Sequence, residues 1–150
     1  MITIGIDPDS SAHGVAIYEN KLLTHLKTLP LMPLLEEIKT AHAAPGGCLV
    51  AVEDVMRNKF IYRRNNQVSK AAQSTVAQHV GRCKQSQVEL VRALEFYGIN
   101  VELFKPQASN WAKTENKAIF ERITKWNRTS NADTRSAAFF GYLAILQSKS

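Results

Sequence analysis

Ile2-Thr3-Ile4-Gly5-Ile6-Asp7-Pro8-Asp9-Ser10-Ser11 is the stretch on which the reading of this chain turns. A run of apolar and β-branched residues has the composition of a strand, and it delivers an acid directly into a turn. Two other acids end apolar runs in a comparable way. Glu53 follows Cys48-Leu49-Val50-Ala51-Val52, and Asp133 opens the apolar C-terminal segment 137–146. Three carboxylates at element ends can converge on hard divalent cations such as Mg²⁺, which take oxygen ligands and leave positions for water and phosphate.

Outward from that strand, His13-Gly14-Val15-Ala16-Ile17-Tyr18 and Lys21-Leu22-Leu23-Thr24-His25-Leu26 flank Glu19-Asn20, which predicts a hairpin turn and completes a three-strand meander. Pro30 and Pro33 start a helix carrying Leu31, Leu34, Leu35 and Ile38, and Pro45-Gly46-Gly47 ends it. Residues 48–54 are nearly all apolar, as expected of a strand buried on both faces. Over residues 69–97, Val76, Val80, Cys83, Leu90, Val91, Leu94 and Tyr97 recur at helical intervals, and Gly98 supplies a stop. A fifth strand is expected at residues 99–104, followed by helices over 115–126 and 131–147. The expected fold is α/β: a mixed five-stranded sheet, antiparallel meander plus parallel strands, with helices on both faces. Strands one, four and five run parallel in it, which sets the C-terminal ends bearing Asp7 and Glu53 beside each other, the edge at which such sheets bind ligands.

With 150 residues, 45% of them hydrophobic, the chain is expected to form a single domain over residues 1–150 with a sizeable core. Lys and Arg outnumber Asp and Glu by 19 to 13, a net charge of +6, which favours an anionic partner. The start Met1-Ile2-Thr3-Ile4 lacks the basic end and long apolar core of a signal peptide. No apolar run approaches the ~20 residues that span a bilayer, so no membrane partner and a cytoplasmic location are expected. Cys48 and Cys83 sit on apolar elements and are expected to be buried, reduced thiols. His13, His25, His42 and His79 show no paired-ligand spacing and no CxxC accompanies them, which argues against a structural zinc site.

Each acid also has an ordinary explanation: an Asx-type turn for Asp7, a solvated strand end for Glu53, and a Ser130-x-x-Asp133 capping box for Asp133. Together these explanations weaken, because the topology brings two acids into one neighbourhood and puts the third in the first turn of a helix able to cover it. Two ions held roughly 4 Å apart by such acids would activate a water and stabilise the leaving oxygen of a phosphodiester.

Four segments carry a resemblance: Ile4-Gly5-Ile6-Asp7-Pro8, Val50-Ala51-Val52-Glu53-Asp54-Val55, Phe104-Lys105-Pro106 and Asn131-Ala132-Asp133. In that order, and through nearly the whole chain, they resemble a RuvC-type Holliday junction resolvase, a branch of the RNase H-like nuclease superfamily, and the compact chain with its loose motif matches suggests a bacteriophage or mobile-element version. The resemblance implies that Asp7, Glu53 and Asp133 are metal ligands for two Mg²⁺ or Mn²⁺ ions, in a homodimer that cuts two strands of a branched DNA symmetrically. It also implies a fourth acid one helical turn beyond the third, where this chain has Ser136. That departure would weaken the second ion, shift metal preference, or leave the role to Asp9 or water. Asp54 is a poorer substitute, since adjacent strand residues point to opposite faces. A different alignment makes Asp133 the last acid and puts Ser130 at the earlier position.

Between Glu53 and the long helix lies Met56-Arg57-Asn58-Lys59-Phe60-Ile61-Tyr62-Arg63-Arg64-Asn65-Asn66, with Lys70 just beyond. Positive charge alternating with aromatics suits phosphate contacts combined with stacking or wedging at unpaired bases. By resemblance an apolar side chain here inserts at the junction centre; Met56 matches it, with Phe60 and Tyr62 as alternatives. The ordinary reading is a solvated loop whose aromatics pack on the domain or a dimer partner. Lys105 and Lys113 are further DNA-binding candidates, and Lys117 matches a family lysine that binds DNA or stabilises the transition state; a solvated helix face is the alternative. Trp111 and Trp126 are expected in the core.

The leading function is therefore a metal-dependent, structure-selective endonuclease that resolves four-way or other branched DNA by water attack on the phosphodiester. By resemblance it leaves 5′-phosphate and 3′-hydroxyl ends. The alternative, motivated by Ser136, is a junction-binding protein of the same fold with little or no catalysis. A third reading is an actin-like ATPase, because Gly5 to Ser11 resembles that superfamily's first phosphate loop. Length argues against it, as does the lack of a second Gly-rich loop.

Overall fold

The computed structural model describes residues 1–57 and 70–148. Strands β1 (Ile2–Asp7), β2 (His13–Glu19) and β3 (Leu22–Leu29) form the meander; helix α1 (Leu31–Ala43) leads to β4 (Cys48–Glu53). Helix α2 (Lys70–Phe96) leads to β5 (Val101–Phe104), and helices α3 (Lys117–Thr124) and α4 (Ala132–Ser148) follow. The strand order is β3-β2-β1-β4-β5, with β1, β4 and β5 parallel and the meander antiparallel, as the sequence implied. The hairpin turn is Asn20-Lys21, one residue later than expected, because Glu19 stays in the sheet opposite Leu22. Both turn residues have positive φ, at 50° and 71°, as a two-residue hairpin turn of this twist requires.

Side-chain parity divides the sheet into two faces. Ile4 and Ile6 of β1, Val15 and Ile17 of β2, and Val50 and Val52 of β4 pack on one face with Leu34, Leu35 and Ile38 of α1 and Leu90 and Leu94 of α2. Ala16 and Tyr18 belong to the other face, in a cluster with Trp111, Phe120, Trp126 and α4 residues 137–140. Both tryptophans are therefore core, as expected. Helix α4 is buried continuously from Thr134 to Gly141, since the sheet covers one side and the Trp111 layer another.

Helix α2 departs from its expected amphipathic pattern. Leu90 and Leu94 are buried, whereas Val76 and Tyr97 are exposed. Its 27 residues extend about 40 Å at 1.5 Å per residue, while six-residue β4 covers roughly 20 Å. The helix outruns the sheet, and its N-terminal half projects past the edge where β1 and β4 end. Gln87 fixes the crossing: its Oε1 accepts from the Val55 N–H at 2.7 Å and its Nε2 donates to Asp54 Oδ1 at 3.0 Å.

Among the described residues, no helix is long and apolar enough to cross a membrane. Cys48 and Cys83 are free thiols, but half-buried rather than buried. Cys83 lies beyond the part of α2 that the sheet covers.

Candidate active site

Strand parity decides which acids can meet. Ile4 and Ile6 point into one core, so Gly5 and Asp7 face α4; Val50 and Val52 likewise leave Ala51 and Glu53 on that face. Asp7 and Glu53 stand one residue beyond the paired Ile6 and Val52 of neighbouring parallel strands. Helix α4 supplies Asp133 from its first turn.

What brings Asp133 close is backbone contact between helix and sheet. A Cβ at Gly14 would lie 2.4 Å from the Asp133 carbonyl oxygen, and one at Gly5 would lie 2.0 Å from that of Ala137. Only hydrogen in place of a side chain permits that approach. Tyr18 pins the same helix, its hydroxyl donating to the Ala138 carbonyl at 2.7 Å. The start of α4 is capped by Asn131, whose Oδ1 accepts from the Thr134 N–H at 2.8 Å while the Thr134 hydroxyl accepts from the Asn131 N–H at 3.0 Å. The cap is thus one residue along from the Ser130-x-x-Asp133 box that would have been the ordinary explanation of Asp133, which leaves Asp133 free of capping duty.

Asp7, Glu53, Asp133, Ser136 and Asp9 all line one cavity of about 320 Å³ at the strand ends. Burial, with Glu53 and Asp133 close by, pushes the Asp7 carboxyl up to about 9. It donates a hydrogen bond to Glu53, whose own carboxyl is raised chiefly by burial. Asp133 is raised by burial and by Asp9, with which it hydrogen-bonds. Four carboxyls therefore sit as two hydrogen-bonded pairs, Asp7 with Glu53 and Asp133 with Asp9, a concentration of acids suited to a cation.

Ser136, at the position where the resemblance implied a fourth acid, is 1% exposed. Its hydroxyl donates to Glu53 Oε2 at 3.3 Å and accepts from Asn110 Nδ2 at 2.9 Å. The chain Asn110–Ser136–Glu53 orients the Glu53 carboxylate. The charge expected at position 136 is instead present in the cavity as Asp9, carried on the loop after β1. Asp54 points away, as parity required: it is buried and accepts from Gln87, the Met56 N–H and Arg57.

Several residues singled out in the sequence lie elsewhere. Lys105, Lys113 and Lys117 are exposed and none lines the cavity; Asn110 and Ala112 occupy that wall. Met56 and Arg57 are exposed on a short 3₁₀ turn just past Glu53, where Arg57 pairs with Asp54 at 3.1 Å. Lys70 is exposed at the first residue of α2. Lys59, Phe60, Tyr62, Arg63 and Arg64 lie outside the described residues.

Sequence reasoning missed four contributors. Asn110 carries no motif. Arg135 is buried without a carboxylate partner among the described residues; its guanidinium donates to the carbonyls of Trp111 and Ala112 at 3.0 and 3.1 Å and to the Ser130 hydroxyl at 3.2 Å. It thereby ties the loop bearing Asn110 to α4. His79 and Cys83 line the cavity from α2, a histidine–cysteine pair that looking for paired histidines or a CxxC passes over. Four residues apart is one helical face, and Asp9 joins them to make a group able to hold a metal ion.

No family model and no curated protein matches the chain. Solved structures do. RuvC of T. thermophilus, in complex with Holliday junction substrate, is similar over 99% of this chain and 96% of its own, at 19% identity and a TM-score of 0.57. A second structure of Thermus thermophilus RuvC gives the same values. The fowlpox virus Holliday junction resolvase aligns over the full length of both chains at 13% identity, with a TM-score of 0.48. The likeness to the Thermus structures extends over nearly the whole chain, and the chain has the RuvC-type, RNase H-like fold.

Proposed function

We propose that this chain is a single-domain, metal-dependent endonuclease that resolves branched DNA, four-way junctions foremost, as a homodimer. The observation that carries the reading is the convergence of Asp7, Glu53, Asp133 and Asp9 in one cavity at the parallel strand ends. Fold likeness adds to it, since one similar Thermus RuvC structure is a complex with Holliday junction substrate. The basic balance of +6 suits a phosphate-rich partner.

The donor set fits Mg²⁺ or Mn²⁺: the ligands are all carboxylate oxygens, burial raises Asp7, Glu53 and Asp133, and a cation bound among them would offset the cost of their charges. Asp7, Glu53 and Asp133 are the proposed ligands. A bound divalent ion would supply activation of water and neutralisation of charge building on the phosphate. The chain's own residues do the rest. Ser136, held by Asn110, keeps Glu53 in one orientation, and Arg135 anchors the wall beside it. Lys105, Lys113 and Lys117 lie outside the acid cavity, so they act on flanking phosphates rather than within it. Met56 and the basic segment after it contact the branch point.

A junction-binding protein with weak catalysis is the second reading, favoured by the uncharged, buried Ser136. One experiment separates the two. Labelled four-way junction, flap, duplex and RNA–DNA hybrid are incubated with the native chain and Asp7→Asn in Mg²⁺, Mn²⁺ or chelator. The nuclease reading expects junction cleavage by the native chain only, with junction binding intact in the variant. Cleavage retained by Asp7→Asn removes Asp7 from the mechanism, and tight binding without cleavage in any metal selects the second reading.

A further inference from the structure

Asp9, His79 and Cys83 meet where the overhanging half of α2 crosses the loop after β1. Cys83 Sγ lies 3.6 Å from Asp9 Oδ1 and 3.6 Å from His79 Nε2, and His79 Nε2 lies 3.8 Å from Asp9 Oδ1. An ion bound tetrahedrally, at ~2.3 Å from sulfur and ~2.0–2.2 Å from nitrogen and oxygen, separates its sulfur from each of the other ligands by roughly 3.6 Å. The nitrogen and oxygen then stand roughly 3.4 Å apart. The three atoms already outline one face of such a tetrahedron to within a few tenths of an ångström.

The supporting contacts favour the same arrangement. Asp9 Oδ1 is aimed by the Ser10 N–H, which donates to it at 2.6 Å, and the Asp9 N–H donates to Nδ1 of buried His13 at 3.2 Å. Such outer contacts fix a ligand before an ion arrives. His79 and Cys83 are held four residues apart on one helix, so neither needs a large backbone movement to keep the spacing.

We propose that Asp9, His79 and Cys83 form a site for a borderline transition-metal ion, Zn²⁺ above all, at the edge of the acid cavity. The mixed sulfur, nitrogen and oxygen donors set it apart from the all-carboxylate group of Asp7, Glu53 and Asp133, which selects hard cations. On binding, the Cys83 S–H bond breaks, a metal–sulfur bond forms and the proton leaves to solvent. Three protein ligands leave one tetrahedral position for water or a phosphate oxygen. The proposal does not rest on the nuclease reading, because metal binding is measured without DNA.

The test titrates the full chain with Co²⁺ under excess Mg²⁺ and follows its absorption, since cobalt bound to a thiolate shows charge-transfer bands that oxygen ligands do not give. The native chain is expected to develop these bands to saturation at one equivalent and to lose them to Zn²⁺. Cys83→Ser should abolish them, and His79→Ala, on an exposed helix face, should weaken cobalt binding at least tenfold. Cys48→Ser and Asp7→Asn should keep them. Absence of the bands in the native chain, their survival in Cys83→Ser, their loss in Cys48→Ser, or unchanged affinity in His79→Ala overturns the proposal. Bands retained by an Asp7→Asn protein that no longer cleaves keep this site separate from the nuclease reading, and failure of cleavage in the native chain leaves it standing.

Discussion

Replacing Asp7 with Asn should make the metal-free protein more stable while removing its response to Mg²⁺. Asp7 is raised from an ordinary 3.8 to about 9 by burial and by Glu53 and Asp133. A folded acid with a raised value binds its proton more tightly than the unfolded chain does, so native stability is lost as pH climbs from about 4 to about 9 and then levels. At pH 7 the unfolded carboxyl lies roughly three units past its midpoint, and at ~1.36 kcal/mol per unit the ceiling is about 4 kcal/mol. Because Asp7 shares its proton with Glu53, about half of that is the working figure. Asn keeps the geometry, its amide donating to Glu53 with no charge to desolvate. A gain of about 2 kcal/mol corresponds to a Tm rise of roughly 4–8 °C for a chain of this size. Thermal unfolding from pH 5 to pH 8.5, with chelator and with Mg²⁺, measures it. The native protein in chelator should lose Tm with rising pH and recover it with Mg²⁺; the difference between native and variant isolates Asp7 from other titrating groups. An Asp7→Asn Tm at or below the native value in chelator at pH 7.5 would refute the reasoning.

Two further substitutions probe the same architecture. Gly14→Ala places a methyl group 2.4 Å from the Asp133 carbonyl oxygen and should cost ~1–3 kcal/mol while shrinking the Mg²⁺-induced Tm rise. Gly81→Ala, with nothing within 4 Å on exposed α2, should instead stabilise by about 0.5–1 kcal/mol, and equal effects at the two sites would discredit the close-contact account. Ser136→Asp puts another carboxyl into a wall that is 1% exposed, so its Tm in chelator should fall below native and its rise on adding Mg²⁺ should be larger. A variant with native Tm in chelator would mean that position 136 does not feel the acid cluster.

Strand periodicity made the fold and half of the acid group legible. Alternation of Ile4 and Ile6, and of Val50 and Val52, is enough to put Asp7 and Glu53 on one face once β1 and β4 are parallel neighbours. Turn chemistry gave the hairpin to within one residue, because Asn20 and Lys21 both tolerate the turn that Glu19, kept in the ladder, leaves to them. Distances were not legible. Gly5 and Gly14 look like ordinary strand glycines until α4 is laid on them, and the apolar run of α4 says that it is buried without saying against what. Asp9, His79 and Cys83 are separated by up to 74 residues, so only the four-residue interval between the last two was available. Cys83 falls on the apolar stripe expected along the whole of amphipathic α2, so it reads as a buried thiol, whereas the sheet covers only the later part of that stripe.

The close seating of α4 on Gly5 and Gly14 has a mechanical meaning. A side chain at an interface acts as an adjustable shim, since rotamers can change to absorb a shift in spacing. Here backbone rests on backbone, and the gap between Asp133 and the strand-borne acids has no such play. Loosening of α4 by heat or denaturant would therefore spread the carboxyls before the sheet itself comes apart, making their grouping a gauge of helix docking rather than of overall folding.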